Sequence, residues 1–166
     1  MSNADALVAL RRLLVGDMVC SCEWGDWWAL HLGNERTSPG GEVSYLVVHA
    51  QELRSRDDER VSRALSEGGI APRAVDPGIV ASAVAYARIF REPIRTVDLL
   101  PDCSLVLGFE GGGDLVLPTA VPIVDWYWSL TLRGGAPYGE DLVAAFDRAA
   151  VFMDPELVEA LGDRRA

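Results

Sequence analysis

The sequence predicts an α+β fold: two sequential antiparallel β-meander units, each preceded by a helix, related by a pseudo-twofold and closed by C-terminal helices. Three observations carry this. Short runs with apolar residues at every second position recur between Gly, Pro, Asn and Asp clusters. Helical spacing is confined to 4–15, 78–90 and the tail. The two β segments can be laid over one another.

The elements follow in order. Residues 4–15 (ADALVALRRLLV) read as an amphipathic helix, with Ser2 or Asn3 as cap and Gly16 at its end. Strands 17–24 and 27–33 flank Gly25-Asp26, a Gly-first pair suited to a two-residue hairpin loop. A third strand, 43–52, follows Pro39-Gly40-Gly41. Residues 54–68 are a charged loop or short helix, anchored by Val61 and Leu65, and 68–78 (GGIAPRAVDPG) is a linker. Asp76-Pro77 caps and opens a helix to about Phe90.

From Pro93 the β pattern returns: Ile94, Val97 and Leu99, then Leu105, Leu107 and Phe109. The chain turns at Gly111-Gly112-Gly113-Asp114 into 115–117, is interrupted by Pro118 and Pro122, and ends its β pattern over 125–133. Two helices complete the tail, Gly139 to about Val151 and Asp154-Pro155 to Leu161. In the overlay, Val19 and Cys22 fall on Ile94 and Val97, and Leu30 and Leu32 on Leu105 and Leu107. One domain therefore spans 1–166: a first unit over 1–67, the linker 68–78, a second unit over 79–133, and C-terminal helices over 139–162.

Composition narrows the function classes. The chain has 166 residues, of which 49% are hydrophobic and 24% charged, enough to bury a substantial core. Its longest apolar run, Ile79 to Ala87, is shorter than the roughly 18 residues of a membrane span and contains Ser82. Arg11 and Arg12 follow the first apolar stretch, the wrong order for a signal peptide. A cytoplasmic protein is expected. The formal net charge is -10, and residues 98–163 carry 12 acids against Arg133 and Arg148. Such a surface repels phosphate backbones, which argues against direct nucleic-acid binding, and it attracts a basic partner. It also serves solubility alone. All 15 basic residues are Arg, so lysine chemistry is excluded.

The segment FREPIRTVDLLPDCSLVLGFEGGGDLVLP, continued by DWYWSLTLRGG, resembles a repeat found in small uncharacterised bacterial proteins, mainly actinobacterial. Ile94, Val97, Asp102, Leu105, Leu107, Phe109, Gly113, Leu115, Leu117, Pro118 and Trp128 fit that repeat, and Leu14 to Val19 looks like the opening of its first half. The resemblance covers most of 7–133 and implies a duplicated helix-plus-meander with no catalytic residues to carry over. Proteins of this style often lie beside toxin or secretion loci, where some serve as immunity proteins. The chain departs from the pattern after Gly139.

Several constellations could carry chemistry. With a two-residue loop, Trp24 pairs Trp27, Cys22 pairs Ala29 and Cys20 pairs His31. Cys20, Cys22 and His31 would then share a face, three soft ligands acceptable to zinc with His49 or Cys103 as a fourth. Cys-x-Cys is not the usual knuckle, and buried packing competes with this reading. The three cysteines are expected as free thiols, not disulfides. No G-x-S-x-G elbow accompanies the two histidines. Glu110, Asp114 and Asp125 lie near strand ends, where acids more often form turns than catalytic pairs. No cofactor is expected.

The expectation is therefore an acidic protein-binding module, of the immunity or inhibitor type, that meets a basic toxin or effector. Glu110, Asp114, Asp125, Trp126, Trp128, Glu140 and Asp141 are its candidate contact residues, and Trp24, Trp27 and Trp28 a second aromatic patch. Core filling competes for all five tryptophans. A small-ligand or carbohydrate module with a Trp platform is the alternative, zinc binding the third reading, and a homodimer through an exposed strand edge a further arrangement.

Overall fold

A computed structural model describes residues 2–38, 40–55, 58–68, 77–123, 125–132 and 141–162. Helix α1 (Asn3–Leu14) opens with a capping box, in which the Asp5 N–H donates to Ser2 Oγ and the Ser2 N–H donates back to the Asp5 carboxylate. The Ser2 hydroxyl also donates to the Asp5 carboxylate at 2.7 Å, and this bond, with that from the Ser2 N–H, holds the Asp5 carboxyl below its ordinary range. Ala6, Leu10, Leu13 and Leu14 recur at helical spacing and are all buried.

Strands β1 (Val19–Trp24) and β2 (Trp28–Leu32) form a hairpin, β3 (Arg36–Thr37) pairs β4 (Val43–Ser44), and β5 (Leu46–Ala50) follows. Helices α2 (Asp58–Glu67) and α3 (Pro77–Ile89) come next, in agreement with the short-helix reading of 54–68 and with a proline-opened helix. Of the expected linker, residues 69–76 lie outside the described residues. Then come β6 (Ile94–Leu99), β7 (Leu105–Phe109), β8 (Asp114–Leu117), β9 (Trp128–Leu132), β10 (Leu142–Phe146), β11 (Val151–Met153) and α4 (Pro155–Gly162). Asp154 caps α4 through the Glu156 and Leu157 N–H groups.

The architecture is α+β and antiparallel. Six strands form one sheet in the order β1-β2-β5-β9-β10-β11, and β6-β7-β8 form a second. One face of the large sheet places Leu30, Leu46, Val48, Trp128, Leu130 and Ala144 in a single core with α1, β6 and β7. The opposite face carries Ala29, Val47, His49, Ser129, Thr131 and Ala145, also buried. Among the described residues no helix is long and apolar enough to cross a membrane.

A buried ion pair ties α1 to the first strands. Asp17 is 0% exposed; its Oδ1 accepts from the N–H groups of Met18, Gly33 and Asn34, and its Oδ2 from Arg36 Nη2 at 2.8 Å. Arg36 also donates to the Leu13 carbonyl at 2.7 Å, at the end of α1. The carboxylate is thus fully solvated by protein donors, which is what allows a charge to be buried.

Two expectations are corrected. The tail from Gly139 to Val151 is not helical where it is described: residues 142–146 are β10 and 151–153 are β11. The run Leu-Val-Ala-Ala-Phe is paired on both sides and buried at every position, so it lacks the alternation that marks a half-buried strand. Residues 133–140 lie outside the described residues. The first hairpin has a three-residue loop, Gly25 to Trp27, and pairs Trp24 with Trp28, Glu23 with Ala29, Cys22 with Leu30 and Ser21 with His31. One residue of slip moves each side chain to the other face relative to its partner.

The two halves share local geometry. Helix α1 ends at Leu14 and α3 at Ile89, each two residues before a left-handed residue, Gly16 (φ 82°) and Arg91 (φ 61°). The Gly16 N–H donates to the Ile94 carbonyl at 2.7 Å, and the Arg91 N–H to the Val19 carbonyl at 2.9 Å. Both β1 and β6 carry a bulge directly after their first residue.

Candidate functional site

The six strands of the large sheet end together in one cross-strand row: Trp24, Trp28, Ala50, Trp128, Phe146 and Val151. Five strand spacings make this row about 24 Å wide. The loops at this end are Gly25–Trp27, the segment after Ala50, the approach to β9, and the turn between β10 and β11. Both tryptophan clusters of the sequence therefore meet at one rim.

The rings divide between core and surface. Trp128 is 0% exposed and donates from Nε1 to the Cys103 carbonyl at 2.8 Å. Trp28 is buried, and Trp24, 57% exposed, lies over it with centroids 6.0 Å apart. Trp27 is half-buried in the loop. Trp126 is half-buried and stacks at 6.0 Å on Phe152, which is itself 44% exposed on edge strand β11. Trp126 and Trp128 do not share a face, because Trp126 precedes the regular strand and turns toward β11. Trp128 is withdrawn from any surface contact by its burial.

Carboxylates surround the exposed rings. Asp26, Asp125 and Asp147 are exposed and make no ion pair among the described residues. Gln51 Nε2 donates to the Asp26 carbonyl at 2.8 Å and so pins the hairpin loop to the end of β5. Asp147 accepts from the Ala149 and Ala150 N–H groups, which hold its carboxyl below the ordinary range and fix the β10–β11 turn. Glu52 is paired with Arg54 at 2.6 Å. Arg148 (φ 88°) rests its guanidinium 5.2 Å above the Tyr127 ring, which packs in turn on Phe146.

The other expected contact residues lie elsewhere. Glu110 and Asp114 flank the β7–β8 turn, at the opposite end of β7 from Cys103. Glu110 is exposed and Asp114 half-buried. Asp141 is exposed beside Leu132, at the far end of β9 from Trp126. Glu140 lies outside the described residues. Of the described members of that set, Asp125 and Trp126 present a surface at the rim, whereas Trp128 stands in its terminal row but is buried. Asp26, Asp147, Arg148 and Phe152 are not singled out by the sequence; the signal for the second and third is an Asx turn, Asp147-Arg148-Ala149-Ala150, hidden inside an expected helix.

The cysteine and histidine trio does not converge. Cys22 meets Tyr86 of α3, whose hydroxyl burial pushes up to about 12 with Cys22 contributing. His31 points to the opposite face, 3.4 Å from Glu23. Cys20 sits in the β1 bulge, its Sγ against Gly33. Cys103 is buried, with φ 62°. Among the described residues no three His, Cys, Asp or Glu side chains are placed to hold a metal ion. His49, 4% exposed, shares its Nε2 with Thr131 Oγ1 at 3.0 Å, and burial lowers its pKa to about 4. Its neighbour across the strand is Ser129, whose Oγ has no hydrogen-bond partner among the described residues.

Compared with protein-family models, curated proteins and solved structures, the chain finds no match.

Proposed function

We propose that the chain is an acidic protein-binding module, of the immunity or inhibitor type, and that it docks a basic protein on the rim of the large sheet. The observation that carries this reading is the single terminal row that brings Trp24 and the Trp126–Phe152 stack to one end, among Asp26, Asp125 and Asp147. An exposed Trp24 and a half-buried Trp126 on a packed floor suit interface anchors, and carboxylates without an ion pair among the described residues suit fast, salt-sensitive encounter. Glu110, Asp114 and Asp141 contribute long-range attraction from other surfaces. A cytoplasmic location is part of this proposal, and the free thiols of Cys20, Cys22 and Cys103 support it.

The test is an affinity capture from host lysate at low and high salt with the wild-type chain and a Trp24→Ser/Asp125→Arg variant side by side. The reading expects a basic protein held by the wild type at low salt and absent from the variant. Equal recovery on both chains would overturn the rim assignment. A carbohydrate platform is the second reading, favoured by the open face of Trp24; sugar-dependent quenching of Trp24 fluorescence without salt dependence would replace the first reading with it.

We further propose that the two halves are a divergent duplication with a local pseudo-twofold. Matched helix ends, left-handed residues, reciprocal backbone bonds and bulges support it. The loop after β6 is two residues longer than that after β1, which moves the equivalence of Leu30 and Leu32 to Leu107 and Phe109.

A further inference from the structure

The rim already holds one cation of its own. Arg148 lays its guanidinium over Tyr127 in the turn that also bears Asp147, and it does so from a left-handed backbone that a non-glycine residue adopts at a cost. A second arginine, Arg91, likewise left-handed, caps the exposed Phe90 ring at 5.3 Å. The rings of Trp24 and Trp126 carry no such cap among the described residues, yet each has an exposed carboxylate within two residues: Asp26 beside Trp24, and Asp125 beside Trp126. A planar guanidinium satisfies both elements at once. It stacks flat on an indole and still offers N–H groups at its edge to a carboxylate, whereas a lysine ammonium is a compact, strongly hydrated point charge.

Building on the docking reading above, we infer that the rim selects arginine side chains, so that the basic partner presents an arginine-rich segment and its guanidinium groups seat on Trp24 and Trp126 against Asp26 and Asp125. Three strand spacings, about 14 Å, separate β1 from β9, the strands next to which the two tryptophans stand, and the Trp126 ring turns farther away, toward β11. Trp24 lies on the core side of the sheet and Trp126 leans toward the other side, so the segment crosses the end of the sheet. Arg148 marks a third seat, filled from within.

The experiment uses the full chain and two synthetic peptides of equal length and charge in a Gly-Ser background, one with arginines and one with lysines, titrated at low salt by calorimetry. The arginine peptide is expected to bind about tenfold tighter than the lysine peptide, with the preference reduced to less than twofold in the Trp24→Leu/Trp126→Leu variant. Both positions are exposed or half-buried, and circular dichroism checks that the variant is folded. Equal binding of the two peptides would overturn the arginine inference and leave the docking reading standing. An arginine preference that survives in the double variant would place the selectivity elsewhere and overturn the inference too. Failure of both peptides to bind at millimolar concentration would overturn the docking reading with it.

Discussion

Acidification from pH 7 to pH 5 acts on the fold through His49. The imidazole is 4% exposed between β2 and β9, shares Nε2 with Thr131 Oγ1, and has no partner at Nδ1 among the described residues. Burial, with His31 adding, lowers its pKa from 6.5 to about 4. The unfolded chain therefore takes up the proton first. Stability is intact above pH 6.5, falls as the pH drops below that value, and levels off below about 4. The full difference corresponds to about 3 kcal/mol, of which about 2 kcal/mol is lost between pH 7 and pH 5. Carboxylates add their own pH dependence, so the measurement is a difference. Urea unfolding followed by tryptophan fluorescence is run at pH 7, 6 and 5 on the wild type and on His49→Gln. Glutamine reaches Thr131 as Nε2 does and does not titrate. The wild type should lose about 2 kcal/mol more than the variant over this range. Parallel losses in the two chains would refute the claim that a neutral histidine is held in the sheet.

Other perturbations have equally definite outcomes. Asp17→Ala leaves Arg36 charged and buried without its partner and should cost about 3–5 kcal/mol in urea unfolding; Asp17→Ala with Arg36→Met should recover part of that. Gly16→Ala forces a side chain into a φ of 82° and should destabilise by about 1–2 kcal/mol, while Arg91→Gly, at φ 61°, should not destabilise by thermal melting despite losing the Phe90 contact. Trp128→Phe removes the bond to the Cys103 carbonyl and should cost about 1–3 kcal/mol while leaving acrylamide quenching of Trp24 unchanged.

The sequence was most legible where one face of an element is buried and the other is not. α1 shows its stripe of Ala6, Leu10, Leu13 and Leu14, and β8 alternates buried Leu115 and Leu117 with half-buried Asp114 and Val116. β10 was hidden because both its faces are covered, and five consecutive apolar residues carry no period to read. The hairpin failed on one residue: Gly25-Asp26 suits a two-residue loop, yet Trp27 joins it, and Trp28 becomes the ring that supports Trp24. The same residue separates Cys22 from His31 and removes the apparent metal set. At the rim, Asp125 and Trp126 were readable as acid and aromatic neighbours. Asp26, Asp147 and Phe152 were not, because strand order decides that β1, β9 and β11 end on one side. Local sequence carries no information on that order.

Docking at the rim can be mapped residue by residue through amide chemical shifts. An arginine-rich peptide is titrated into isotope-labelled protein and into an Asp26→Lys/Asp125→Lys/Asp147→Asn variant, the asparagine keeping the acceptor that holds the β10–β11 turn. Shifts are expected at 24–28, 51–52, 125–127 and 147–152, and their loss in the variant. Shifts centred on the β7–β8 turn around Glu110 and Asp114, or unchanged in the variant, would contradict it.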